Sequence, residues 1–397
     1  MAYLKVNHDK ITPETADKLI NLCPFGAITK NGSTIDIGAG CKMCGICSKK
    51  GPEGAIEMIK DQPKTVVDKN AWCGIAVYAE LSGRTGKVHP VAFELLGKAK
   101  QLAVEIDHPV YAVIIGYCLE EAVLELLTHG ADKVFVYDAP ELEHFKIDIY
   151  TNAFCDFINK TKPSSVLVGA TNLGRSLAPR VAARVGTGLT ADCTSLEIKE
   201  NTDLVQIRPA FGGNIMARII TPNHRPQFCT VRYKIFDALP EREPVGEGKV
   251  IKMTLPADKL VSKIEVIETR HKPAEFDISE AELIVACGRG VKNAEELETA
   301  KRFADSIGAQ LACTRPMVEA GWFDPRKQIG LSGRTVKPKL IITLGISGSV
   351  QFAAGMKNSD KIIAVNIDPN ASIFKIAHIG MIGDWKEIIS RPMEVLK

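Results

Sequence analysis

Residues 111–131 read YAVIIGYCLEEAVLELLTHGA. A short apolar run ends at Gly116, and beyond it Leu119, Val123, Leu126 and Leu127 recur three and four residues apart. Such a run is too short for a helix and too apolar for a half-exposed strand, so it predicts a buried strand followed by an amphipathic helix. Working outward, the same order returns in GIAVYAE (74–80) with VAFELLGKAKQLA (91–103), in KVFVYDA (133–139) with IYTNAFCDFINKTK (149–162), and in SSVLVGA (164–170) with RSLAPRVAARVG (175–186). Buried strands alternating with helices make a parallel sheet with helical crossovers.

From 190 to 232 the pattern turns to β-branched segments, LVQIRPAF, MARIITP and QFCTVRYKIF, which predict that the sheet ends in an antiparallel extension. Proline, glutamate and lysine dominate 238–275, marking a boundary. A second alternation follows: ELIVACGRG (282–290), AEELETAKRFADSIG (294–308), AQLACTR (309–315), KLIITLGISGS (339–349) and KIIAVNID (361–368). The fold expected is α/β, with two doubly wound parallel-sheet domains at about 70–265 and 270–397. Residues 1–65 form a separate small module, joined through the charged, proline-bearing stretch KDQPKTVVDKN (60–70).

The 397 residues are 45% hydrophobic and 24% charged, and 50 basic against 47 acidic side chains leave a net charge of +3. That balance offers no electrostatic footprint for nucleic acid or an anionic membrane. The N-terminal MAYLKVNHDKITPET lacks the basic start and apolar core of an export signal, and no apolar run reaches the roughly 18 residues of a membrane span. A cytoplasmic protein without membrane insertion is expected.

Five of the eleven cysteines, Cys23, Cys41, Cys44, Cys47 and Cys73, lie in the first 73 residues. The others stand singly, as small apolar core residues do. In a chain without export signals the cluster favours metal over disulfides. Cys41-Lys-Met-Cys44-Gly-Ile-Cys47 is C-x2-C-x2-C, and Cys23 is followed by Pro24. Zinc is the alternative, although zinc sites usually pair two separated C-x2-C knuckles. The triplet with a distant Cys-Pro resembles bacterial ferredoxins, in which the fourth cysteine of each run serves the other cluster. The phrases CPFGAI (23–28) and GPEGAI (51–56) are similar to the two halves of such a duplication. The resemblance implies a ferredoxin-like α+β module with one 4Fe-4S cluster on Cys23, Cys41, Cys44 and Cys47. The second cluster's ligands are gone, Gly51 standing where one would be, and Cys73 reads as structural.

The C-terminal third carries further motifs: Gly288-Arg289-Gly290, Thr314-Arg315, Gln328-Ile329-Gly330-Leu331-Ser332-Gly333, Gly345-Ile346-Ser347-Gly348-Ser349-Val350-Gln351-Phe352, Asn366-Ile367-Asp368 and Gly383-Asp384-Trp385. Small residues after the strand KLIIT suit close approach to a pyrophosphate. In this order, and with GATNLGRSLAPRVAAR (169–184) and RPAFGGNIMA (208–217), the motifs resemble the alpha subunits of electron-transferring flavoproteins over about residues 70–397. The resemblance implies bound FAD. It places Arg315 over the isoalloxazine, as a fixed cation for the negative charge of reduction, and Ser332 near flavin N5. Arg289, Thr314, Ile329, Gly330, Leu331, Ser347, Gly348, Ser349, Val350 and Gln351 match positions along the ring, ribityl chain or phosphates. Asn366 and Asp384, with Trp385 beside them, match the adenosine side. Phe352 departs from the family's usual histidine, removing a donor at the N1 and O2 edge, and Leu331 departs from its frequent glutamine.

The function implied is electron relay, with no bond-making chemistry in this chain. The expected partners are a beta subunit carrying a second flavin and the NADH site, and an acceptor flavoenzyme of the acyl-CoA dehydrogenase/reductase or lactate dehydrogenase type. The fused cluster adds ferredoxin as a partner and suggests the electron-bifurcating branch of the family, with 238–275 as a hinge. The alternative reading is a non-redox adenine-nucleotide-binding regulator with structural zinc.

Overall fold

The computed structural model describes residues 2–60, 67–83, 86–210, 215–243, 249–270 and 277–390. Parts of the expected linker (61–66), of the motif around 211–214 and of the expected hinge (244–248 and 271–276) lie outside these residues. The chain divides into two compact units, residues 1–67 and 68–397.

In the first unit, β1 (Ala2–Val6) pairs antiparallel with β4 (Ile56–Lys60), and β2 (Ile28–Asn31) with β3 (Thr34–Ile37). Helix α1 (Pro13–Leu22) starts where Thr12 and Thr15 exchange side-chain and backbone hydrogen bonds, with Pro13 in the first turn. α2 (Ile46–Lys50) follows the cysteine triplet. The core is small: Ile11, Ala16, Leu19, Ile28, Ile35, Ala55 and Ile56 around Cys47.

The second unit contains two parallel sheets. In the first, β5 (Ile75–Ala79), β6 (Val110–Gly116), β7 (Lys133–Asp138) and β8 (Ser165–Gly169) alternate with α3 (Pro90–Ile106), α4 (Glu120–Thr128), α5 (Ile147–Thr161) and α6 (Asn172–Val185), as the pattern predicts. One face packs Leu95, Leu96 and Leu102 of α3 on Val77 and Ile114, and the other packs Phe154 and Phe157 of α5 on Tyr78.

The expected antiparallel extension is only partly correct. β9 (Leu189–Cys193) and β13 (Gln227–Val231) join the parallel sheet, while β10 (Ser195–Ile198), β11 (Leu204–Ala210) and β12 (Ile215–Ile219) form a separate antiparallel sheet. β13 lies between β8 and β9 and is buried along its whole length, which is the condition of a central strand. The boundary segment also contributes: β14 (Val250–Lys252) pairs parallel with β7, giving the order β14-β7-β6-β5-β8-β13-β9, and α7 (Ala257–Leu260) follows.

The second sheet has the order β16-β15-β17-β18-β19, all parallel: β15 (Leu283–Cys287), β16 (Gln310–Cys313), β17 (Leu340–Leu344), β18 (Ile362–Asn366) and β19 (Ile379–Ile382). Helices α8 (Ala294–Ser306), α9 (Arg315–Glu319), α10 (Val350–Ala353) and α11 (Trp385–Ser390) connect or flank them. β19, which the sequence pattern does not announce, is exposed at every residue, and among the described residues nothing pairs with its outer edge. Among the described residues no helix is long and apolar enough to cross a membrane.

Candidate functional site

In the second sheet the chain runs outward from β15 to β16, then returns past β15 to β17, β18 and β19. Ligands of open α/β sheets bind at the carboxyl ends of the strands where the order reverses, here between β15 and β17. Gly288 and Gly290 follow β15 and Gly345 follows β17, and the loops touch: Gly288 N–H donates to the Leu344 carbonyl and Gly290 N–H to that of Gly345, both at 3.0 Å. Gly348, at φ +82°, packs so closely on the Ile373 backbone that a Cβ would lie 2.3 Å from its nitrogen.

A cleft of about 460 Å³ opens above this crossing, walled by the loops after β15, β17, β18 and β19. Eight of the expected residues line it: Arg289, Thr314, Ser347, Ser349, Phe352, Asn366, Asp384 and Trp385. Several also hold the walls. Asn366 Nδ2 donates to the Ile346 carbonyl at 2.7 Å, and Trp385 Nε1 to the Gly290 carbonyl at 3.1 Å. Ser349 caps α10 by accepting from Phe352 N–H at 3.3 Å. Phe352 is buried and presents an apolar ring to the cleft.

The other expected residues stand around the cleft. Leu331 N–H donates to the Gln351 carbonyl at 3.0 Å, binding the loop of Gly330, Leu331 and Ser332 to α10. Ile329 is buried beneath it, and Ser332 is exposed, accepting from Gln328 Nε2 at 2.8 Å. Gly348 is buried, while Val350 and Gln351 are exposed on the first turn of α10. Arg315 is exposed at the start of α9, with Nε 2.8 Å from Glu319 Oε1. The sequence reading missed Lys292, Glu296 and Lys386, which also line the cleft. Lys386 Nζ lies 2.7 Å from Glu296 Oε1, tying the first turn of α11 to α8. That contact raises the Lys386 pKa and lowers that of Glu296. Only charge alternation 90 residues apart could have signalled it.

The glycine crossing, the two serine hydroxyls and the cations Arg289, Lys292 and Lys386 suit a dinucleotide's pyrophosphate. An open parallel sheet with such a seat at its order reversal is a dinucleotide-binding fold. Residues 76–258 match the electron transfer flavoprotein domain, and residues 277–357 the electron transfer flavoprotein FAD-binding domain. The chain is 58% identical over 397 residues, 100% of its length and 94% of the relative's, to the lactate dehydrogenase (NAD(+),ferredoxin) subunit LctC of Acetobacterium woodii. It is 42% identical to the electron transfer flavoprotein subunit alpha of Clostridium acetobutylicum, over 81% of this chain and 96% of that one. For the alpha subunit of Megasphaera elsdenii the figures are 43%, 83% and 98%. The protein belongs to the electron transfer flavoprotein alpha-subunit family, whose role is electron transfer and whose C-terminal domain binds FAD.

In the first unit, Cys23, Cys41, Cys44 and Cys47 line one small cavity with Leu4, Phe25, Ile28 and Ile37. Among the described residues no three of them converge at metal-binding distance. Backbone amides reach two of the four sulfurs. Ala27 N–H donates to Cys23 Sγ and Met43 N–H to Cys41 Sγ, both at 3.4 Å. Burial pushes the Cys23 thiol up, and the backbone amides of Ala27, Phe25, Ile28 and Gly26 more than reverse it, for a net lowering. Burial raises Cys47, with Cys41 and Cys44 adding to it. Cys73 is exposed, so the expectation of a structural role for it gains no packing argument.

Proposed function

We propose that this chain is the alpha subunit of an NAD(H)- and ferredoxin-linked electron-bifurcating complex, relaying electrons through FAD between a beta subunit and a lactate-dehydrogenase-type flavoenzyme. The single observation that carries this reading is the cleft at the β15–β17 reversal, lined by residues of the flavin motifs. FAD supplies one- and two-electron chemistry. The chain's own residues would orient and exclude: Ser347, Ser349 and Arg289 would hold the phosphates, Phe352 would keep one edge of the ring dry, and Ser332 and Arg315 would serve its reactive face. The lactate-type acceptor is favoured over an acyl-CoA enzyme because likeness to the Acetobacterium woodii subunit extends over the whole chain. A cytoplasmic location goes with that assignment.

The N-terminal unit would hold one 4Fe-4S cluster on Cys23, Cys41, Cys44 and Cys47, wiring the complex to ferredoxin. A second cluster is disfavoured because a Cβ on Gly51 would lie 2.2 Å from the Cys47 carbonyl oxygen and 2.8 Å from Leu19 Cδ2. Core atoms occupy that space. The complex, purified without oxygen, tests both assignments through its flavin and iron content and its turnover with ferredoxin present or omitted. A preparation holding no iron removes the cluster, and turnover indifferent to ferredoxin removes bifurcation.

A further inference from the structure

Arg232 directly follows β13, at the carboxyl edge of the first parallel sheet, and its guanidinium reaches out of that sheet. Nη2 donates to the Leu331 carbonyl at 2.8 Å and lies 3.3 Å from Asp192 Oδ2. The side chain is 15% exposed, and Nε has no acceptor among the described residues. The Leu331 carbonyl and Asp192 are therefore what hold it. Leu331 precedes Ser332 on the loop bound to α10 through Gln351, so that loop is gripped from both parallel-sheet regions of the second unit.

The carbonyl that Arg232 engages belongs to the peptide whose N–H is Ser332's. A charge-assisted bond to one end of a peptide polarises the other, making that N–H a stronger donor. Among the described residues the Ser332 N–H has no partner, and Ser332 is exposed. Arg315, by contrast, is exposed and engaged with Glu319. The first sheet thus contributes a largely buried cation one peptide away from the residue assigned to the flavin's reactive edge.

We infer that Arg232 is a positioning residue for the flavin: by fixing the Leu331 carbonyl it aims the Ser332 N–H and hydroxyl at the ring, and its charge favours the reduced, more negative form. This inference rests on the placement of Ser332 at the ring given under Proposed function.

Arg232→Gln, Arg232→Lys and Ser332→Ala are compared with the parent in the complete complex. Three quantities are read: hydrogen exchange of residues 328–335 after FAD is removed, FAD affinity by fluorescence titration, and the midpoint potential of this subunit's FAD. In R232Q the loop exchanges about tenfold faster, FAD binds about tenfold more weakly and the potential moves negative. R232K keeps the charge without spanning both acceptors, so it loses exchange protection but holds the potential closer to the parent's. Should R232Q fail to fold, shown by lost protection in β5, the R232K exchange decides alone. Unchanged exchange in either folded variant overturns the inference. A potential that moves in S332A but not in R232Q also overturns it, leaving the flavin placement standing. A potential that moves in neither overturns the placement itself.

Discussion

Gly290 and Gly345 meet backbone to backbone beneath the cleft of the FAD-binding domain: a Cβ on either would lie 2.5 Å from the other's Cα. Gly345 also has φ +60°, so its replacement mixes strain with collision, whereas at Gly290 collision alone acts. Gly290→Ala should part the two loops, weakening FAD binding at least about tenfold and costing about 1–3 kcal/mol of stability. Flavin titration and thermal unfolding of the complex read the two effects, and unaltered affinity would contradict a pyrophosphate seat at this crossing.

Phe352 is buried in the cleft, at the position where the family resemblance implies a histidine. Phe352→His restores a hydrogen-bond donor beside the ring edge where charge develops on reduction, so the midpoint potential should move positive. Spectroelectrochemistry checks this. No movement would place that edge of the ring elsewhere.

Cys41 and Cys44 sit on the same small cavity as Cys23 and Cys47. Cys44→Ser should strip most of the iron from the anaerobically purified complex while FAD content stays unchanged, because the flavin cleft belongs to the other unit. Iron analysis beside the flavin spectrum separates the two cofactors.

Glu94 is buried in α3, one carboxylate oxygen has no partner among the described residues, and the other accepts from Lys234 N–H at 3.2 Å. Burial pushes its pKa up to about 7. A raised carboxyl favours the folded state fully below the unfolded value near 4.3 and loses that benefit as pH rises through 7, a swing of about 4 kcal/mol. Glu94→Gln should therefore match the parent's melting temperature at pH 5 and exceed it at pH 8. Equal melting differences at both pH values would refute the assignment.

Asp203 carries a buried ion cluster, with Lys69 Nζ and Arg225 Nη2 each 2.8 Å away and the Arg225 side chain 0% exposed. Burial alone would raise its carboxyl, and hydrogen bonds from Lys69 and Arg225 bring it below the ordinary range instead. Its contribution is present above the usual aspartate pKa and disappears as pH falls through the folded value. Asp203→Ala strands the Arg225 charge and should cost about 3–5 kcal/mol at pH 7, less in acid. Urea unfolding at the two pH values tests this.

Much of this architecture is legible in residue order, because buried parallel strands write themselves as continuous apolar runs such as YAVIIGY and KIIAVNID. The same property conceals pairing direction. QFCTV reads equally well as an antiparallel extension or as the central strand that β13 is, since burial on both faces erases alternation. β19 and β14 went unread because an edge strand of three or four residues carries no period. At the flavin cleft, motif order locates Ser347, Thr314 and Asn366, whereas Lys386 and Arg232 become visible only through their partners Glu296 and Leu331, each about 90 or more positions away.

The last strand of the flavin-binding sheet has consequences for anyone producing the protein. Ile379, Met381 and Ile382 are 41%, 38% and 63% exposed on a rim that no strand among the described residues pairs with. An apolar rim of this kind recruits strands from other molecules. Made without its companion subunits, the polypeptide is expected to clump as it is concentrated, and co-expression or a lysine at Met381 is the remedy to try first.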